Sequence, residues 1–331
     1  MVTVLVTGCG GAVGLGVIKA LRMGISDLRL IGVDSDPYAA SFYSKSKEYR
    51  LSQSYLVPRA DDPKFVRKIV DICRRENVDV IFPGTDAELE KLAISETKIA
   101  GYGTKIVISP LRTIRICRDK WLTYQHLNKH LPMVKSALPD GEIEKALEFT
   151  GLPAVVKPRL GWGSRHTYKI NNLEEARIMI NYVEKPIIQT WLEGEEYTVD
   201  GVTDRHGKPM CLVPRQRIKL LGGLSSEGVT VRDGSLIELG KKVTKHLKII
   251  GPFNFQVKKV SGEPKIFEIN PRFAGTGILT VKAGVNIPLI VLNEICDMKT
   301  PTSLDFIEGI AMSRYFEEAY FRIDEAKCYD D

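Results

Sequence analysis

The chain has 331 residues, 44% of them hydrophobic and 27% charged, with a formal net charge of +6. That length supports two or three packed domains around a sizeable core, and so modest a charge without a basic run excludes a nucleic-acid stripe. The six cysteines, at positions 9, 73, 117, 211, 296 and 328, show no paired spacing, which excludes a disulfide framework or zinc site and points to reduced thiols.

Strand and helix patterns alternate through roughly the first 110 residues, the signature of a parallel sheet with helices on both faces. Strands are predicted at 2–6, 28–33, 78–82 and 105–108, and helices at 12–23, 63–76 and 86–98. The first strand begins directly after Met1, and no apolar run approaches the ~18 residues of a membrane span. A cytoplasmic address without a signal peptide is therefore expected. Gly8-Cys9-Gly10-Gly11-Ala12-Val13-Gly14, followed by Asp34 twenty residues later, has the spacing of a dinucleotide fingerprint, and alone this segment predicts NAD binding. Phe82-Pro83-Gly84-Thr85-Asp86, at a strand end in the same sheet, joins the same crevice by the switch-point rule. Asp86 is a candidate to receive a substrate amine there, whereas Glu88 reads as a helix N-terminal acid favoured by the dipole.

The pattern changes from Leu111 onward. A helix over 115–129 carries Asp119 and Lys120, and on its own Lys120 reads as a solvated helix residue. Segments 142–150, 153–157, 173–183 and 186–189 make a compact α+β unit. Its strand ends at Lys157, and Pro158 stops the ladder because it has no N–H to donate. The loop Gly161-Trp162-Gly163-Ser164-Arg165 lets backbone N–H groups approach an anion, as phosphate-binding nests do, with Lys157 as a point charge. The spacing is not the Walker pattern, and a glycine-rich hairpin turn beside a surface lysine is the plain alternative.

After Gly194, alternation places Glu196, Thr198 and Asp200 on one strand face, with Tyr197 and Val199 on the other. Arg215-Gln216-Arg217 and the segment from Leu221 through Ser225-Ser226-Glu227 to Gly228 form a glycine-rich loop between strands. The most informative segment is the hairpin of Asn254 to Arg272, turning at Ser261-Gly262-Glu263-Pro264. Closed symmetrically about Gly262, it sets Gln256 opposite Glu268 and Asn254 opposite Asn270, with Phe267 and Ile269 facing away. A face of hard oxygen ligands beside an arginine suits Mg²⁺ shared with phosphates; an ordinary wet strand face is the alternative. Residues 312–321 read as a late strand and 324–331 as a frayed tail. The five histidines (126, 130, 166, 206, 246) show no ligand spacing.

Taken in order, Arg118-Asp119-Lys120, Val155-Val156-Lys157-Pro158, Gly161-x-Gly163-Ser164, the run from Gln189 to Asp200, Phe255-Gln256 and Phe267-Glu268-Ile269-Asn270-Pro271-Arg272 resemble the ATP-grasp superfamily. The likeness is to its carbamoyl-phosphate-synthase-like and carboxylate–amine ligase branch. The resemblance implies an α/β and α+β chain: a Rossmann-like pre-ATP-grasp domain (1–112), then an ATP-grasp fold. In that fold, 113–190 would be linker helix and lid, 191–322 an antiparallel-sheet catalytic core, and 323–331 a tail.

The resemblance also implies ATP with Mg²⁺, or Mn²⁺ in its place. Lys120, Lys157, Gly161, Gly163 and Ser164 would hold phosphates. Gln189, Thr190, Trp191 and Leu192 would form the adenine hinge, with Glu196 on the ribose, although Trp191 reads equally well as core. Gln256, Glu268 and Asn270 would hold the metal, and Arg272 and Lys157 would act on the transferring group. Gly10, Gly11, Asp86, Arg215, Ser225 and Ser226 would face the second substrate, which turns the glycine fingerprint away from NAD.

The implied reaction activates a carboxylate as an acyl-phosphate and joins it to an amine, releasing ADP and phosphate. Its partners would be small-molecule acid and amine, not nucleic acid or membrane, and a homo-oligomer is compatible with it. Ser225-Ser226-Glu227 replaces a histidine-containing loop of carbamoyl-phosphate synthase, and one ATP-grasp unit stands where that subunit has two. Both departures count against bicarbonate and carbamate. Other ATP-grasp chemistry, such as carboxylation or thioester formation, stays open, as do an NAD-dependent oxidoreductase and a non-catalytic nucleotide-binding module.

Overall fold

Three sheets organise the protein in a computed structural model that describes residues 1–25, 27–161, 163, 165–298 and 304–328. The first contains β1 (Val2–Thr7), β2 (Leu28–Asp34), β3 (Gln53–Leu56), β4 (Val80–Phe82) and β5 (Lys105–Ile106), all parallel, in the order β3-β2-β1-β4-β5. Helices α1 (Ala12–Gly24), α2 (Ala40–Tyr43), α3 (Phe65–Glu76), α4 (Asp86–Ile94) and α5 (Glu96–Ala100) connect and cover it. β3 went unpredicted because its short polar run, Gln-Ser-Tyr-Leu, carries little β signal. The helix expected over 86–98 divides at Ser95, which ends α4 and precedes α5. At Gly84 a Cβ would meet the Thr7 carbonyl oxygen at 2.0 Å, so the strand-end turn needs glycine for close approach.

The helix predicted over 115–129 is also two, α6 (Leu111–Arg118) and α7 (Lys120–Leu127). Asp119 takes an extended conformation between them, and its side chain accepts the Trp121 and Leu122 N–H groups. This is an N-cap, and it puts Lys120 at the first helical position. Arg159 grips the same carboxylate at 3.2 and 2.5 Å. A four-stranded sheet follows in the order β6-β9-β7-β8, built from β6 (Ser136–Ala137), β7 (Ala154–Pro158), β8 (Tyr168–Ile170) and β9 (Pro186–Thr190). Together with α8 (Ile143–Thr150) and α9 (Leu173–Tyr182) it closes its own small core around Leu147, Val156, Ile170 and Ile188.

The third sheet runs β14-β13-β10-β11-β12-β15. Its strands are β10 (Glu195–Thr203), β11 (Pro209–Leu221), β12 (Leu224–Thr230), β13 (Gly251–Val260), β14 (Glu263–Asn270) and β15 (Ala311–Ser313), with α10 (Gly234–Leu247), α11 (Ile278–Lys282) and α12 (Ile287–Ile295). Only Ala311–Ser313 of the late strand forms, and residues 314–322 have no strand pairing. One face buries Tyr197, Val199, Phe253, Phe255 and Ile269 against Leu236, Leu239 and Val243 of α10, each such side chain contributing ~1.5–3 kcal/mol. Where the third sheet meets the first, Val4, Leu30 and Phe82 share a core with Val213, Phe273 and Ile290. Among the described residues no helix is long and apolar enough to cross a membrane.

Candidate active site

The other face of the third sheet is polar, and its register makes cross-strand rows. Glu196 pairs with Lys258, Thr198 with Gln256 and Asp200 with Asn254; Gln256 then pairs with Glu268 and Asn254 with Asn270. The hairpin thus closes in the expected register. It departs in one respect: the register shifts beyond Gln256, so that Val257 opposes Ile266. Phe267 is the extra residue of this β-bulge. Instead of facing away, it lines a cleft of about 300 Å³ between this face and the four-stranded sheet.

Lys157 and Lys120 meet in that cleft. Both are buried, and Lys120 donates to the Gly161 carbonyl at 2.9 Å. Burial and the neighbouring Lys120 depress the Lys157 ammonium to about 7, against the pull of Glu268 and Glu196. A desolvated, like-charged lysine pair favours an anionic ligand. Lys120 is thus no solvated helix residue, because the break at Asp119 turns it under the 159–161 segment.

At one end of the cleft lies the β9–β10 connection. The Thr190 N–H donates to the Lys135 carbonyl and the Trp191 N–H to Pro153, each at 3.1 Å. The Leu192 N–H carries no intrachain hydrogen bond among the described residues. The Gln189 amide is occupied by the Ser136 hydroxyl at 2.9 Å. Gly194, at φ 147, brings the chain so close to Lys259 that a Cβ would sit 2.0 Å from its carbonyl oxygen, and so fixes the entry to β10. Glu196 ion-pairs with Arg217 and lies 3.8 Å from Lys258.

At the other end, Asn270 donates to Glu268 and Asn254, each at 3.2 Å. The Arg272 guanidinium grips Asp86 with both arms, at 2.8 and 2.6 Å. Two residues expected to face substrates independently are therefore bound to each other, joining the third sheet to the first. Beyond Thr85 opens a second cavity of about 480 Å³ beside the glycine turn, lined by Gly10, Gly11, Asp34, Asp36 and Glu88 among others. Asp34 accepts the Gly10 N–H at 2.8 Å, so the acid of the dinucleotide fingerprint is occupied by the turn itself. Glu88 accepts the Thr7 hydroxyl and the Gly84 and Thr85 N–H groups. Glu88 sits at the third position of α4 in a capping box with Thr85, a helix N-terminal acid, although its burial raises the carboxyl to about 7 despite those bonds.

Of the residues anticipated from sequence, Lys120, Lys157, Gly161, Gln189, Thr190, Trp191, Leu192, Glu196, Gln256 and Glu268 line one cleft. Asn270 stands behind Glu268, Gly163 is not among the lining residues, and Ser164 lies outside the described residues. Arg215 is misassigned as a substrate contact: it is 1% exposed, bound to Asp200 at 2.9 and 2.7 Å and to Thr276 at 2.8 Å. Ser225 is buried and accepts from Arg217, while Ser226 donates to the Lys219 carbonyl. Neither serine lines the cleft. The basic residues that sequence reasoning overlooked are Arg217 and Lys258. The period-2 pattern Asn254, Gln256, Lys258 carried the signal for Lys258. No histidine lines the cleft.

The oxygen set of Glu268, Gln256 and Asn270 fits Mg²⁺ shared with phosphates, which takes only one or two carboxylates. Among the described residues no group of three or more His, Cys, Asp or Glu forms a protein-only cage.

Residues 183–317 match the family model described as ATP-grasp in the biosynthetic pathway with Ter operon, and residues 4–107 match the PylC-like N-terminal domain. The carbamoyl phosphate synthase large chain of Caldanaerobacter subterraneus subsp. tengcongensis is 26% identical over 257 residues, 70% of this chain and 23% of that one. The Gemmatimonas aurantiaca protein of the same name is 24% identical over 296 residues, 82% and 26% of the two chains. This chain thus spans about a quarter of the length of these curated relatives. An ADP complex of N5-carboxyaminoimidazole ribonucleotide synthetase superposes with TM-score 0.73 at 16% identity, over 92% of this chain and 79% of that one. A biotin carboxylase–βγ-ATP complex from Campylobacter jejuni gives 0.72 at 16% identity, over 91% and 72%. These structures share the fold: a parallel-sheet domain, then an ATP-grasp unit of lid and antiparallel sheet.

Proposed function

Since residues 183–317 match an ATP-grasp family model and residues 4–107 the PylC-like N-terminal domain, we propose that the chain is an ATP-dependent, ADP-forming carboxylate–amine ligase. The observation that carries this reading is the cleft itself. Lys120 and Lys157, both buried, line the same cleft as Glu268 and Gln256 beneath the four-stranded sheet, which would act as the lid.

Lys120, Lys157 and the loop at Gly161, Gly163 and Ser164 neutralise the triphosphate. Leu192 offers its N–H to the adenine edge at the hinge of Gln189, Thr190 and Trp191, and Glu196 takes the ribose. Glu268, Gln256 and Asn270 would hold Mg²⁺, with Mn²⁺ suiting the same oxygens; the ion supplies charge neutralisation at the β- and γ-phosphates. A substrate carboxylate displaces Asp86 from the Arg272 fork, a bidentate geometry that suits either carboxylate. Its oxygen bonds to the γ-phosphorus as the bond to the β-phosphate oxygen breaks and ADP leaves. An amine from the crevice at Gly10, Gly11 and Asp86 then attacks the acyl carbon and expels phosphate, and the amine's proton passes to solvent. No protein nucleophile is required. The lack of a histidine in the cleft supports an amine acceptor over carbamate chemistry.

The test pairs carboxylates with amines and follows phosphate release, adding hydroxylamine in place of the amine. The expected result is a hydroxamate with ADP and phosphate. AMP and pyrophosphate from the true substrates would overturn the mechanism, and carboxylation of the acceptor would point to the carboxylase reading.

A further inference from the structure

Trp191 is contacted from both sides of the cleft. The Lys169 ammonium, on β8 of the lid sheet, lies 4.6 Å from its ring centroid, and the Lys258 ammonium, on β13 of the third sheet, lies 5.0 Å away. Ammonium groups over indole are drawn to the ring quadrupole, more strongly as water is excluded. Lys258 also donates to the Leu192 carbonyl at 3.1 Å and stands 3.8 Å from Glu196. One core lysine therefore touches three consecutive parts of the nucleotide end: the indole, the peptide unit after it, and the acid opening β10. The Trp191 backbone belongs to the lid side, through its N–H bond to Pro153. Its indole Nε1–H is buried and has no partner, an uncommon state for a buried Trp. The ring's placement thus rests on packing and on the two cations rather than on a hydrogen bond of its own.

We infer that Trp191 is the joint through which lid and core together hold the nucleotide base, with Lys258 and Lys169 as its positioning residues. Lys258 fixes the Leu192 carbonyl, and so the direction in which the adjoining Leu192 N–H points. Lys169 steadies the ring from within the lid sheet, and Lys258 reaches it from the third sheet, so the Lys258 contact is the one that ties lid to core. The inference rests on the nucleotide reading above. The contacts of both lysines are to Trp191, the Leu192 carbonyl and Glu196, so both act on binding rather than on chemistry. Their loss raises KM for ATP and leaves kcat nearly unchanged, the mark of lost uniform binding.

The experiment measures Mg-ATP affinity by calorimetry and by indole fluorescence in wild type, Lys258→Met, Lys258→Arg, Lys169→Met and Trp191→Phe. Lys258→Met should weaken Mg-ATP binding roughly tenfold, and Lys258→Arg should restore most of it because the cation returns. Lys169→Met, at an exposed position where folding is not at stake, should weaken binding by roughly threefold. The nucleotide-induced fluorescence change should shrink in both Met variants, and Trp191→Phe should remove the part of it that Trp191 contributes beside Trp121 and Trp162. A wild type that binds no Mg-ATP overturns the nucleotide reading and this inference with it. Wild-type binding, with both Met variants within twofold and an unaltered fluorescence response, overturns this inference alone.

Discussion

Two glycine-rich turns border two cavities here, and they differ in everything except glycine. Around the turn at residues 8–14 the charged lining residues are Asp34, Asp36 and Glu88, and no lysine, arginine or histidine joins them. Under the loop that begins at Gly161 they are Lys120, Lys157, Arg165, Arg217 and Lys258, with only Glu196 and Glu268 opposing. Three donors of the first turn are also occupied: Cys9 N–H on the Val33 carbonyl, Gly10 N–H on Asp34 and Gly11 N–H on the Gly8 carbonyl. Glycine lets a backbone come close to an anion, but free N–H groups and nearby cations decide whether the anion stays. On the proposed function, a fingerprint read from glycine spacing alone picks the wrong cavity for phosphates.

If the contrast is right, the largest effect comes from reversing it at the metal face. Glu268→Ala should lower Mg²⁺-dependent turnover by roughly a hundredfold or more, with circular dichroism and Tm near wild type because the residue faces the cleft. Turnover close to wild type would reduce Glu268 to an ordinary strand residue.

The next effect tests the cationic side. The folded Lys157 titrates near 7 and its ordinary value is 10.5. Between those values the unfolded chain binds a proton that the folded one lacks, so this group makes stability rise with pH across that window. Mg-ATP favours the charged form, so binding above pH 7 should take up a proton, and affinity should fall by up to about tenfold per pH unit. Calorimetry in buffers of differing ionisation enthalpy reads the uptake directly. Lys157→Met should remove the proton uptake along with most of the affinity.

Period-2 alternation made the polar hairpin face legible before any coordinates, because strand geometry alone places Asn254, Gln256, Glu268 and Asn270 together. What stayed hidden depended on contacts distant in sequence. Arg215 and Arg217 share a strand face, and their carboxylate partners, Asp200 and Glu196, lie four residues apart on β10. Arg215, however, is sealed where Thr276 and, on α11, Thr280 bind the Arg215–Asp200 pair, whereas Arg217 reaches the cleft. Lys120 is buried only because Asp119 breaks a helix that the periodicity reads as continuous. The Asp86–Arg272 pair spans two domains and has no local signature.

A smaller effect compares ligands rather than variants. Mg-ATP at about a hundred times its Kd should stabilise the protein by ~2.7 kcal/mol, raising Tm by several degrees. NAD and NADH should leave Tm unchanged, because their phosphates would meet three carboxylates and no cation beside the glycine turn. Stabilisation by NADH without any from Mg-ATP would invert the comparison.

The smallest effect is expected in the acidic crevice, where it separates the two half-reactions. Gly11 lines that cavity at φ −82, a conformation open to any residue, and a Cβ there would meet only the Gly8 carbonyl oxygen at 3.4 Å. Gly11→Ala should fold normally, at most losing a few tenths of a kcal/mol because alanine caps a helix less well than glycine. The added methyl projects into the space proposed for the amine and touches nothing in the nucleotide cleft. Amide formation should therefore slow a few-fold through a higher KM for the amine, since a methyl in a binding pocket is worth ~1–3 kcal/mol. Hydroxamate formation from the same acid should stay at the wild-type rate, because the acyl-phosphate forms upstream of the amine. Gly11→Val should widen the gap between the two rates. Equal losses in both reactions would move the amine out of this crevice and leave the glycine turn a purely structural element of the first sheet.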